Sequence, residues 1–181
     1  MTSVRAMTKS VALIRGVGGK TAMKMAELKA ALTEAGMADV STLQVAGNVV
    51  FDPAGRTAEE WERLVHDVVL DRFGFDLAVI VRSHDELVDL ARRNPYHGAA
   101  EPKWVMTTVL TEPAEQDKVA AIDHAFGLPD EFVVDGVEIF TRYEAGVGVS
   151  KIHTAWFERQ LGVVGTARNA NTIAKLIELT A

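Results

Sequence analysis

Short apolar runs alternate with helical stripes along this chain, and glycine or proline stands at most of the changes between them. Val11 to Ile14 is an unbroken apolar run of strand length, ended by the glycines at 16, 18 and 19. Met25, Leu28, Leu32 and Ala35 then recur at helical spacing, and Gly36 occupies the position expected of a helix C′ residue. Ser41 to Val45 and Val49 to Phe51 are β-type runs. The triplet Ala46-Gly47-Asn48 between them predicts a hairpin, with Asn48 placed in the turn because asparagine tolerates positive φ. Asp52-Pro53 breaks the second run. Thr57 and Glu60 have capping-box spacing, and Trp61, Leu64, Val65 and Val68 form one apolar helix face ending before Gly74. Leu77 to Val81 closes the set as a buried strand.

The second half follows the same order. Trp104 to Leu110 predicts a strand, Pro113 suits the first position of a helix, and Val119, Ile122 and Phe126 give that helix an inward face before Gly127. Phe132 to Val134 and Val137 to Tyr143 flank an Asp135-Gly136 hairpin turn. Ser150 to Leu161 predicts a helix carrying Ile152, Trp156, Phe157 and Leu161 on one side. Thr166 to Arg168 predicts a short strand, and Ile173, Leu176 and Ile177 mark a last helix. Between the halves, Ser83 and Glu86 repeat the capping-box spacing for a helix that stops near Asn94-Pro95, because the residue before proline avoids the helical region. The order β-α-β-β-α-β, met twice, predicts an α+β chain of two ferredoxin-like subdomains, 1–82 and 103–181, joined by a connecting helix and loop over 83–102 and followed by a C-terminal helix.

Composition narrows the possible chemistry. The 181 residues contain no cysteine, which excludes disulfides, thiolate catalysis and cysteine-bound metals. Nineteen Lys and Arg against 25 Asp and Glu leave a formal charge of −6, which argues against coating nucleic acid by counterion release. An RNA-binding sheet would need exposed aromatics on its central strands, and the first half offers only Phe51 there. The N-terminal apolar run is interrupted at Arg15, too short for a signal sequence or membrane span, so a cytoplasmic protein is expected. Met7, followed by Thr-Lys-Ser, reads as an alternative start, with the first six residues a dispensable extension.

Two polar junctions remain as candidate chemistry. RGVGGK at Arg15 to Lys20 pairs with AGNVVFD at Ala46 to Asp52, and GVGVSK pairs with ARNANT near the end. Each sets glycines, a cation and an amide beside a strand end, where backbone N–H groups can face an anion. In a β-α-β-β-α-β unit the loop after the first strand and the turn after the second emerge at one sheet end. The candidate ligand-binding residues are therefore Arg15, Gly18, Gly19, Lys20 and Asn48 in the first half, and Lys151, Arg168 and Asn169 in the second. A P-loop is excluded, since GxxxxGK[ST] would need glycine at position 14, which is isoleucine. His66, His84, His97, His124 and His153 lack the spacing of a helical metal site and read as surface residues, so no metal is expected. His97 is a candidate acid or base, with an unpaired carboxylate as the alternative base. No serine sits in a GxSxG elbow, and Trp61, Trp104 and Trp156 read as core.

RGVGGK, MKMAELKAAL, AGNVVF, the NPY element at Asn94 to Tyr96, GVGVSK and ARNANT together resemble the bacterial domain of unknown function 1697 family, over nearly the whole chain from Met7. The family pattern reads RGINVGGK, QSGNVVF, RSKL and TRNWNT. The resemblance implies a fold of two alpha/beta subdomains and implies no activity. This chain departs from the pattern in three places: two residues are missing before Val17, Ala46 stands for serine, and Ala170 stands for tryptophan. The leading expectation is a binding module for an anionic, phosphate-bearing, nucleotide-like ligand at the junction of the two halves, without a cofactor. A protein-interaction or oligomerisation module using an open sheet edge is the main alternative, and an enzyme acting on a nucleotide-like substrate is the third.

Overall fold

In the computed structural model, which describes residues 8–181, the first apolar run forms β1 (Ser10–Ile14), buried on every residue. A strand buried on both faces reads as a continuous apolar run, as Val11 to Ile14 does. The chain continues through α1 (Met25–Glu34), β2 (Ala38–Leu43), β3 (Asn48–Asp52), α2 (Ala58–Phe73), β4 (Val79–Ser83) and α3 (His84–Arg93). It then forms β5 (Val105–Leu110), α4 (Gln116–Ala120), β6 (Glu131–Asp135), β7 (Glu138–Arg142), α5 (Thr154–Leu161), β8 (Gly165–Asn169) and α6 (Ala170–Thr180). The fold is mixed α+β. Its two four-stranded antiparallel sheets have the orders β2-β3-β1-β4 and β6-β7-β5-β8. By contact the chain divides into two units, one running to Val88 and including Lys175–Ala181, the other Asp89–Ala174.

In the first unit, Ala12 and Ile14 of β1, Phe51 of β3 and Val81 of β4 pack with Leu28 and Leu32 of α1 and with Trp61, Val65 and Val69 of α2. Each Val, Leu, Ile or Phe among them contributes about 1.5–3 kcal/mol when fully buried. Phe51 and Trp61 meet edge to face at 5.3 Å, and the indole Nε1 donates to the Pro53 carbonyl at 3.1 Å. Both capping boxes form as expected: Thr57 with Glu60 at the start of α2, and Ser83 with Glu86 at the start of α3. The C-terminal end of α6 belongs to this unit, where the Lys9 N–H donates to the Thr180 carbonyl at 2.9 Å and His84 Nδ1 lies 3.0 Å from the Thr180 hydroxyl.

In the second unit, Leu110, Phe132 and Ile139 from the sheet pack with Trp156, Phe157 and Leu161 of α5. Phe157 meets Phe132 at 5.0 Å and Trp156 at 5.1 Å, both edge to face. Buried Tyr143 donates its hydroxyl to the Ile152 carbonyl at 2.9 Å, and burial pushes its ionisation up to about 12. One device recurs in both units. Glu62 of α2 accepts the Val81 N–H and Glu158 of α5 accepts the Gly165 N–H, each at 2.9 Å, so a helix carboxylate occupies a donor of the outer strand.

Four local expectations are corrected. The second hairpin turns on Gly136 and Val137 rather than Asp135 and Gly136: Asp135 stays in β6 opposite Glu138, and Gly136 takes the positive φ (62°). Asn48 is the first residue of β3 rather than a turn residue, and positive φ falls on Gln44 (58°) and Gly47 (74°) instead. Pro113 does not open a helix: α4 starts at Gln116 and ends at Ala120, because the Asp123 carboxylate takes the Ala125 N–H and starts a separate 3-10 turn, His124–Gly127. Phe126 thereby becomes 44% exposed. Helix α5 begins at Thr154 rather than Ser150, whose hydroxyl is drawn to Asp130 at 2.6 Å and accepts the Ile152 N–H.

Candidate functional site

At one end of the first sheet, three strands bring the first polar junction together. Leu13 faces Asn48 across β1 and β3, and Ile14 faces Val79 across β1 and β4. The Ile14 N–H donates to the Gly47 carbonyl at 2.8 Å and the Arg15 N–H to the Ala78 carbonyl at 2.9 Å. Arg15 to Lys20 therefore leaves the sheet beside the β2–β3 turn, as its place in the chain order implies. Gly47 is where the two segments touch: a Cβ there would stand 2.7 Å from Val17 Cγ2 and 2.9 Å from Ile14 Cβ. Asn48 is fully buried and donates from Nδ2 to the Leu43 carbonyl at 3.1 Å, closing the turn from inside.

The loop itself is built from its glycines. Gly16, Gly18 and Gly19 have φ of 72°, 139° and 54°, values that side-chain-bearing residues rarely adopt, and open space surrounds each Cα. The Thr21 hydroxyl bridges the carbonyls of Gly16 and Gly18, the latter at 2.9 Å, while the Thr21 and Ala22 N–H groups close a 3-10 turn onto Gly18 and Gly19. The carbonyls of Gly16, Gly18 and Gly19 are thus engaged. Among the described residues, the N–H groups of Gly18, Gly19 and Lys20 donate to no protein acceptor, and Lys20 is exposed and enters no ion pair. A row of amides without protein acceptors, beside an ammonium, favours an anion.

The candidates of the second unit have different settings. Register places the end of β7 (Arg142) and the end of β8 (Asn169) at one sheet end, since they face Val105 and Met106 of β5. Lys151 is exposed, with Nζ 5.7 Å from the centre of the Phe126 ring. Arg168 is buried within β8, donates to the Thr166 hydroxyl and the Ala167 carbonyl, both at 2.8 Å, and is pushed down to about 10 by burial. Asn169 accepts the Thr172 N–H at 2.9 Å, a helix-capping bond at the start of α6. Gly146 of GVGVSK lies under Trp104, where a Cβ would collide with the ring.

Histidines and carboxylates complete the inventory. His97 is exposed. Among the described residues, no group of three or more His, Asp or Glu is arranged to hold a metal ion. His66 lies 2.8 Å from Asp76 and 3.1 Å from Asp67, and hydrogen bonding to these carboxylates, Asp76 first, raises its ionisation above the ordinary histidine value. A raised folded value means that the pairing's stabilisation is complete below the unfolded pKa and is lost as pH rises through the folded one. Asp76→Asn is accordingly expected to lower the His66 midpoint in an NMR titration and to reduce stability only on the acid side of that window; an unmoved midpoint contradicts the pairing. Sequence spacing gave no sign of two other clusters. Arg93 gathers Asp89, Asp135 and Glu138, the last at 2.7 Å, and Asp130 accepts the Glu144 N–H and the Ser150 hydroxyl.

A mixed α+β chain with two four-stranded antiparallel sheets and a glycine-rich loop at one sheet end is the class that these elements define. Residues 7–140 match the family described as protein of unknown function DUF1697, and the chain belongs to that family. The matched span holds RGVGGK, AGNVVF and the NPY element. The solved structure of a conserved bacterial protein from Streptococcus pneumoniae is similar over 97% of this chain and 99% of its own, with a TM-score of 0.68 and 20% sequence identity. That likeness is one of fold. No curated protein matches this chain. No helix among the described residues is long and apolar enough to cross a membrane.

Proposed function

We propose that this chain is a binding module for an anionic, phosphate-bearing ligand, held at the Gly16–Thr21 loop of the first unit by the amides of Gly18 and Gly19 and by the Lys20 ammonium, with Arg15 alongside. The carrying observation is the row of loop N–H groups without a protein acceptor, beside a lysine without an ion pair, among the described residues. Gly47 and Asn48 hold that loop from behind. Lys151 supplies exposed charge to a second polar edge, while Arg168 and Asn169 shape it from within β8 and α6. Each sheet, with the helices between its strands, is taken as a ferredoxin-like unit, supported by the shared strand order.

An interaction module docking through an open sheet edge has less support. The outer strands β2 and β6 carry charges of the kind that blunt edge pairing: Asp39 at a bulge, paired with Lys9, and Glu131 and Asp135, paired with Arg142 and Arg93. Thermal unfolding with inorganic phosphate, pyrophosphate and ATP tests the anion site. A native-state ligand adds roughly 2.7 kcal/mol at a hundredfold excess over its Kd. At least one of these anions is expected to raise the Tm of the unaltered protein, with the rise lost in Lys20→Ala and weakened by salt. No rise with any of the three, or an equal rise in Lys20→Ala, contradicts the proposal.

A further inference from the structure

Tyr96, His124, Leu128, Asp130, Glu131 and Phe132 line a cavity of about 230 Å³ in the second unit, several times the roughly 30 Å³ that one water takes up in the liquid. Its walls combine two features. The first is aromatic: the His124 ring stacks on Phe132 with centroids 4.3 Å apart and planes 5° from parallel, and Tyr96 adds a half-buried phenol. The second is negative charge without lysine or arginine in the lining. Asp130 is only 8% exposed, and its two oxygens take the Glu144 N–H at 2.8 Å and the Ser150 hydroxyl at 2.6 Å, both neutral donors. Among the described residues it has no ion pair. Nearby Arg142 is already shared between Glu131 at 3.1 Å and Glu144 at 2.9 Å. Arg142 therefore answers Glu131 and Glu144, and Asp130 keeps its neutral donors alone. Burial and the Glu131 charge also raise the Tyr96 ionisation, which keeps its ring neutral.

We infer that this cavity binds a compact organic cation, of the alkylammonium or quaternary ammonium class. Aromatic faces attract a cation through their quadrupoles, and a carboxylate held by neutral donors alone supplies the opposite charge. An anion would meet Asp130 and Glu131, and a neutral apolar group would leave the Asp130 charge unmatched. The inference is independent of the anion site, which lies in the other unit. It gives Tyr96 of the NPY element and Ser150 of the GVGVSK string definite places: one in the wall, the other holding the carboxylate.

The test is an NMR and calorimetric titration of the full chain with choline and with 3,3-dimethylbutan-1-ol, its uncharged isostere. Choline is expected to bind saturably, with shifts centred on Tyr96, Phe132 and Asp130, and the alcohol roughly tenfold or more weakly. Asp130→Asn, which keeps an acceptor oxygen but removes the charge, is expected to lose a similar factor. Tyr96→Leu removes a ring without touching the Asp130 bonds and is expected to weaken choline several-fold with the fold intact. The inference is overturned if choline fails to bind, if the alcohol binds as well as choline, if the shifts map elsewhere, or if both variants keep the original affinity.

Discussion

Replacing Arg93 by alanine is expected to destabilise the second unit by about 3 kcal/mol, because removing one partner of a buried ion pair strands the other in a poorly solvated place. Arg93 donates to Glu138 at 2.7 Å and to Asp89 at 2.7 Å, also meets Asp135, and lies 5.8 Å from the centre of the Phe140 ring. The Glu138 side chain is only 7% exposed, whereas Asp89 and Asp135 reach water. The cost therefore concentrates on Glu138. Arg93→Met with Glu138→Met is expected to recover most of the loss, since replacing both members of such a pair with apolar residues is often close to neutral. Urea unfolding of the three proteins checks this. A loss in Arg93→Ala below about 1 kcal/mol, the range of exposed pairs, would show that Glu138 finds water when unpaired.

Gly47→Ala is the second large effect, and it bears on the binding loop as well as on stability. An L residue at φ 74° costs about 1–2 kcal/mol, and forcing atoms into a filled space costs a further ~1–3 kcal/mol. Here the new methyl would meet Val17 Cγ2 at 2.7 Å, Ile14 Cβ at 2.9 Å and the Ile14 carbonyl at 3.0 Å. Relief requires Val17 to move, and with it the loop that carries Gly18, Gly19 and Lys20. A loss of about 2–5 kcal/mol is expected, together with weaker anion binding. Gly136→Ala provides the control, because that glycine also has positive φ (62°) but open space around it, so only the backbone cost applies. Equal losses at the two positions, in denaturant unfolding, would contradict the close approach at Gly47.

The parts of the fold that local chemistry decides were legible in the residues. Thr57 with Glu60 and Ser83 with Glu86 each act within a few positions, and both formed where expected, while the second-half hairpin formed one residue later than its Asp-Gly cue, on Gly136 and Val137. The meeting of Arg15–Lys20 with Gly47 was legible too, because it follows from strand order alone. Failures came where a distant partner or a competing local bond intervened. Asn48 looks like a turn residue in sequence, yet the Leu43 carbonyl holds its amide inside β3. The helix drawn through Phe126 was split by the Asp123 cap, and Ser150 was drawn out of α5 by Asp130, 20 positions earlier. Arg168 carries a charge that spacing alone assigns to the surface, but its place in β8 buries it. The Arg93–Glu138 pair spans 45 positions, and the Asp130 carboxylate takes donors from two later segments, so no short window contains either.

The central claim is that the Gly16–Thr21 loop binds an anion through its own amides. The most direct measurement is a ¹⁵N NMR titration of the full chain with pyrophosphate. Saturable shifts are expected at the amides of Gly18, Gly19 and Lys20, and their loss in Lys20→Ala. Shifts absent from these amides, or spread over the molecule's other lysines and arginines without saturation, would contradict it.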